Sequence, residues 1–238
     1  MKTSFLLSIA VASTLAMAQS APTGTVKGRV RLSGAPPGNP IIRMGVDPRC
    51  AELNRGKRVV QETVLTTEDG GLANVFVHLV GSFPPSPPPP GVVSIDQRSC
   101  VYAPRVVGAR VGQTVEFRNS DRTLHDVHSV STKGNDFNVG QPITGMVYRT
   151  QFKNPEVMLH IKCDVHRWMN TYIGVVDHPY FAVSGGGGTF TIAGVPPGVY
   201  TIQAWHEQYG PLAQSITVNA GDNPIADFTY TGAEKPGR

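Results

Sequence analysis

The chain has 238 residues, with 21 Lys+Arg against 17 Asp+Glu and only 3 Cys, enough for one large domain or two small ones. Gly (26) and Pro (20) together approach a fifth of the residues and charged residues stand at 16%, against averages of about 12% and about a quarter, which favours turn-rich β architecture over coiled coils and long-helix folds. A hydrophobic share of 40% excludes wholesale disorder. The pI near 9.1 reflects a small excess without basic clusters, so no nucleic-acid partner is expected.

Residues 1–18 join Lys2 to an apolar run and end in Ala16-Met17-Ala18, the form of an export signal cleaved after Ala18. The run is too short to span a bilayer comfortably. The sequence therefore predicts a periplasmic or secreted protein without a membrane anchor, in an oxidising compartment.

Short alternating apolar/polar segments predict strands at 26–32, 72–79, 92–95, 109–117, 156–162, 172–176, 189–192, 199–205, 214–218 and 225–230. Period two with intervening turn residues indicates an all-β sandwich or barrel. Segments 34–40 and 84–90 read as loops, the second as surface polyproline, and 185–188 as a flexible joint or hairpin turn. The best helix candidate is short, at 50–56.

Chemistry concentrates between 101 and 177. One cluster runs from Asn119 through His125 and Asp126 to His128, and a second is Cys163-Asp-Val-His166-Arg-Trp-Met169. A Cys-x2-His-x2-Met loop plus a remote imidazole supplies the donors of a blue-copper site, two His and one Cys with a weak axial Met. A structural zinc site would need two further N or S donors and would leave Met169 accidental. His128 stands three residues beyond His125, so strand alternation turns it to the other face; it is expected beside the site or at the surface. His78, His160, His178 and His206 are expected as hydrogen-bonded strand residues. Trp205 and His206, at a strand end, could cover the loop.

Two family resemblances accompany these residues. The run TVKGRVRLSGAPP from Thr25, then ANVFVHL from Ala73, and GTFTIAGVPPGVYTI from Gly188 resemble two halves of a carboxypeptidase regulatory-like (transthyretin-like) sandwich. Tyr102-Ala-Pro, followed by VGQTVEFRN from Val111 and by a His six residues after Asn119, resembles the cupredoxins, amicyanins most closely, over about residues 92–178. That resemblance implies a Greek-key sandwich with one type 1 copper ion held by His125, Cys163, His166 and Met169. Asn119, Asp126, His128 and Trp168 would support the ligands. The chain departs from amicyanin at Asp126, where the family has Asn, and at Arg167-Trp168, where it has Pro.

With Cys163 assigned to copper, Cys50 and Cys100 remain as an even pair and are expected to form a disulfide. The split regulatory-like pattern predicts a discontinuous outer sandwich (22–91 plus 179–232) with the copper domain (92–178) inserted, 84–90 and 185–188 crossing between them and the disulfide bracing the junction. The expected role is electron carriage through the ring edge of His166, ringed by Trp168, Met169, Pro142 and Met146, to a transient redox-protein partner. The protein is expected to be monomeric and not an enzyme. Seven His without an H-x-H pair are too few for a trinuclear oxidase centre. A copper-storing or partner/glycan-binding envelope module is the other reading.

Overall fold

A computed structural model describes residues 22–235; the predicted signal segment lies outside them. In chain order the strands are β1 (Gly24–Leu32), β2 (Phe76–Val80), β3 (Val93–Arg98), β4 (Val101–Ala103), β5 (Val106–Arg110), β6 (Thr114–Asn119), β7 (His125–Val130), β8 (Phe137–Gln141), β9 (Val147–Gln151), β10 (Glu156–Lys162), β11 (Asn170–Val176), β12 (Phe181–Val183), β13 (Thr189–Val195), β14 (Gly198–His206), β15 (Gly210–Val218) and β16 (Phe228–Tyr230). Besides a 3-10 turn, the described residues hold one short helix, α1 (Pro48–Leu53). The fold is nearly all-β.

Four sheets form two packed pairs. One pair, β13-β1-β16 and β12-β2-β14-β15, encloses a core of Val26, Leu72, Leu79, Ile192, Ile202 and Tyr230, among others. The other, β5-β11-β10-β7-β8 and β4-β3-β6-β9, encloses Ile95, Phe117, Val127, Ile161 and Ile173. Parallel pairing of β3 with β6 and of β5 with β11 interleaves these strands as a Greek key rather than a meander. Strands β3 to β11 all belong to the second pair and lie in sequence between β2 and β12 of the first.

The two pairs meet through Phe76, fully buried with Val106, Met158 and Val176. A side-chain carbon at Gly174 would overlap the Phe76 ring, and one at Gly108 the Phe181 ring, so glycine is what permits this approach. Arg105 adds a two-pronged bond to Glu207, 2.7 Å at each prong.

The structure departs from the sequence reading in several places. The run 109–117 is two strands in different sheets: Gly112 takes φ +76° and Gln113 N–H bonds Arg110 O, a turn the alternation conceals. The helix begins at Pro48 because Asp47 accepts hydrogen bonds from Arg49 N and Cys50 N and Pro48 fills the first helical position; both are start signals. Segment 185–188 closes a turn, with Gly188 N–H on Gly185 O, between β12 and β13. It does not cross between the sheet pairs, because β12 already pairs with β2. The disulfide Cys50–Cys100 forms, but it does not brace the junction: Met44 and Cys50 pack into the second core with Cys163 and Met169. The segment carrying them is a strap over one end of that sandwich.

Candidate metal centre

That end is where the predicted ligands converge. His125 opens β7, and the turn before it is built by Asn119, whose side chain donates to Thr123 O and Gln141 O while accepting from Asp121 N. The loop from Cys163 to Met169 leaves β10 and returns into β11. It is closed by Cys163 N–H on Met169 O (3.2 Å) and Met169 N–H on His166 O (2.8 Å). Asp126 Oδ1 accepts Asp164 N (2.8 Å) and Val165 N (3.2 Å), so this carboxylate ties β7 to the loop. Its other oxygen is buried without a partner.

His125, Cys163 and His166 are all buried, with donor atoms within 4.8 Å of one another. His125 Nδ1 stands 3.0 Å from His166 Nδ1, and Cys163 Sγ 3.8 Å from the latter. The outer nitrogens meet carboxylates: His125 Nε2 at 3.0 Å from Asp121 Oδ2 and His166 Nε2 at 2.9 Å from Asp47 Oδ2. Burial opposes ionisation of both Asp, but His125 and the amides of Cys100 and Ser99 hold Asp121 below the ordinary carboxyl range, and His166 with the amides of Cys50 and Arg49 does so for Asp47.

This arrangement fits a metal ion. An ionised carboxylate only accepts, so each Nε2 carries the ring proton and each Nδ1 presents a lone pair. Two lone pairs 3.0 Å apart repel unless a proton or a metal ion lies between them. Donors about 2.0–2.3 Å from a shared ion can stand 3.0 and 3.8 Å apart. Burial pushes the Cys163 thiol up to about 11, so metal binding would release its proton. Met169, 1% exposed and held by its two backbone bonds, is the thioether of the same loop.

The remaining predicted residues sort by contact. His128 points away from the cluster, to Asp164 Oδ2 at 2.7 Å. Trp168 packs on His166 with ring centroids 5.1 Å apart. Trp205 packs against Tyr172 with the rings tilted by 49° and His206 stacks on Tyr209, so neither covers the loop. His78, His160 and His178 are hydrogen-bonded; His206 accepts from Gln208 N.

His166 does not present its ring edge to solvent. It is 1% exposed, with Asp47 and, at 3.5 Å, Cys50 Sγ against Nε2. No apolar ring of Trp168, Met169, Pro142 and Met146 surrounds an open histidine there. The strap is the cause: Asn54 Nδ2 donates to Cys50 O and Ser99 O, Gln61 Nε2 to Trp168 O, and the disulfide fixes its middle. Asp121 and Asp47 are the functional residues the sequence reading missed. The N-cap position of Asp47 before Pro48 was its one visible signal.

A family model of the carboxypeptidase regulatory-like domain matches residues 173–231, starting inside β11 and taking in β12 to β16. No curated protein sequence matches the chain. Among solved structures, a copper-containing nitrite reductase from Thermus scotoductus SA-01 is 26% identical over 40% of this chain and 24% of its own, with a TM-score of 0.33. A purple cupredoxin from Nitrosopumilus maritimus is 23% identical over 35% of this chain and 98% of its own, at 0.30. An oxidised proline-to-alanine variant of amicyanin is 22% identical over 36% of this chain and 82% of its own, at 0.32. The chain thus spans about a quarter of the nitrite reductase and most of each small cupredoxin.

Proposed function

We propose that this chain is an exported copper protein that carries single electrons between transient redox partners and catalyses no reaction of its own. The observation that carries the reading is the facing pair of Nδ1 atoms, 3.0 Å apart beside the Cys163 thiol, each ring held by a carboxylate on its far side. His125, Cys163, His166 and Met169 would hold the ion. Copper bound by thiolate, imidazole and thioether supplies one-electron redox chemistry. Zinc is disfavoured because Cys50 and Cys100, the other two of the chain's 3 Cys, are spent in a disulfide. The chain's own contribution is a cage: Asp121 and Asp47 set tautomers, Asp126 pins the ligand loop, and the strap covers the ligand rings.

The visible and EPR spectra of the copper-loaded protein test this. An intense thiolate-to-copper band that disappears in Cys163→Ser and persists in His128→Ala is expected. A colourless complex would turn the reading to copper storage.

A further inference from the structure

We propose that electrons enter and leave this centre through the indole of Trp168. The inference rests on the copper reading above and says where that centre opens to a partner. Neither imidazole reaches solvent: His125 is 0% and His166 1% exposed, and their outer nitrogens are occupied by Asp121 and Asp47. The strap, locked by the disulfide, closes the end of the sandwich beyond them.

Trp168 is the aromatic group that packs on a ligand ring and is also open outward. Its ring lies 5.1 Å from that of His166, tilted by 48°. Its Nε1–H donates to Cys100 O at 2.9 Å and its carbonyl accepts Gln61 Nε2 at 3.0 Å, so both ends of the residue are held. The ring is half-buried and lines a cleft of about 440 Å³ between the strap and the ligand loop, with Val59, Tyr102 and Arg105. A π-system held against a ligand ring gives a through-contact route from the centre to this cleft. Exposed Arg167 beside it suits an anionic one-electron acceptor.

The probe is hexacyanoferrate(III). The reduced copper centre gives up one electron, hexacyanoferrate(III) becomes hexacyanoferrate(II), and no proton or bond moves. Stopped-flow bleaching of the acceptor, or growth of the blue band, reads the rate. Trp168→Leu is expected to keep the band and the reduction potential but to react roughly tenfold more slowly, about 1.4 kcal/mol in activation free energy, while Trp168→Phe restores most of the rate. An unchanged rate in Trp168→Leu, with colour and potential intact, overturns the route. A wild-type protein that takes up copper without colour instead refutes the copper reading itself. Should Trp168→Leu not load copper, Trp205→Phe leaves Trp168 as the sole indole, since the chain has 2 Trp. Strong quenching of its emission on copper binding supports the contact, and undiminished emission overturns it.

Discussion

Replacing Asp121 by Asn tests whether the carboxylates set the centre's chemistry. Asp121 Oδ1 accepts Ser99 N at 2.7 Å, while Oδ2 accepts both Cys100 N at 2.8 Å and His125 Nε2 at 3.0 Å. An amide has one acceptor and one donor end. If its oxygen serves Ser99, its NH2 faces two N–H groups, and His125 must move its proton to Nδ1, pointing it at His166 Nδ1 3.0 Å away and occupying the lone pair a metal needs. If the amide turns over, Ser99 N–H is left without its acceptor. Either failure costs about 1–3 kcal/mol, which is roughly a 10–100-fold loss of metal affinity, the usual effect of removing such a partner. Asp47→Asn should cost less than about tenfold, because the Asp47 side chain is 21% exposed and water can supply the missing acceptor. Competition against chromophoric Cu(I) and Cu(II) chelators at fixed pH measures both. Asp121→Asn affinity within about twofold of wild type, or a larger loss in Asp47→Asn, would refute the tautomer argument.

Three further outcomes are expected. Met169→Leu should retain copper with a raised reduction potential, since a thioether slightly favours the oxidised ion; Asp126→Asn should raise it too, by removing a carboxylate 3.1 Å from Cys163 Sγ. Cyclic voltammetry decides, and an unchanged or lowered potential in both contradicts those roles. Replacing Cys50 and Cys100 together by Ala frees a loop closed across 50 residues, costing about 4 kcal/mol; the urea midpoint should fall while the thiolate band survives, because no ligand comes from the strap, and an unshifted midpoint counts against it. Burial holds His206 neutral, its value lowered to about 4, while the unfolded chain gains the proton near 6.5. Its penalty is therefore absent above about pH 7 and grows as pH falls from 6.5 to 4, to about 3 kcal/mol. Urea unfolding of His206→Phe should show a shallower acid decline than wild type, and parallel curves would contradict it.

How much of this was legible depends on how local each signal is. The Cys-x2-His-x2-Met loop is local, so spacing alone brought Cys163, His166 and Met169 to one turn. His125 was reachable through the cupredoxin resemblance, which carries a histidine six residues after Asn119. The all-β class followed from period two and turn residues, yet the short strands β4, β8, β9 and β12 were lost and the end of β5 was merged with β6, because three to five residues carry little periodicity. Asp47 and Asp121 were illegible as supports. Asp47 lies 119 residues before His166, and its visible signal, an N-cap ahead of Pro48, describes a helix start and nothing about an imidazole.

The strap shows why a ligand motif does not by itself say where a centre opens. Read locally, Cys163-x2-His166 places a histidine on a loop at a sandwich end, where solvent would be the default neighbour. Here that neighbour is a segment from 44 to 61 that precedes every strand of the sandwich it covers. It stays because its contacts are independent of one another: Met44 and Cys50 buried in the core, Asn54 on the Cys50 and Ser99 carbonyls, Gln61 on the ligand loop, and a covalent link to Cys100. Losing Asp47 alone would therefore leave the cap seated, whereas losing the disulfide would loosen it at its centre. Sequence upstream of this sandwich thus decides which side of the candidate centre is covered, and it leaves the cleft beside Trp168 open.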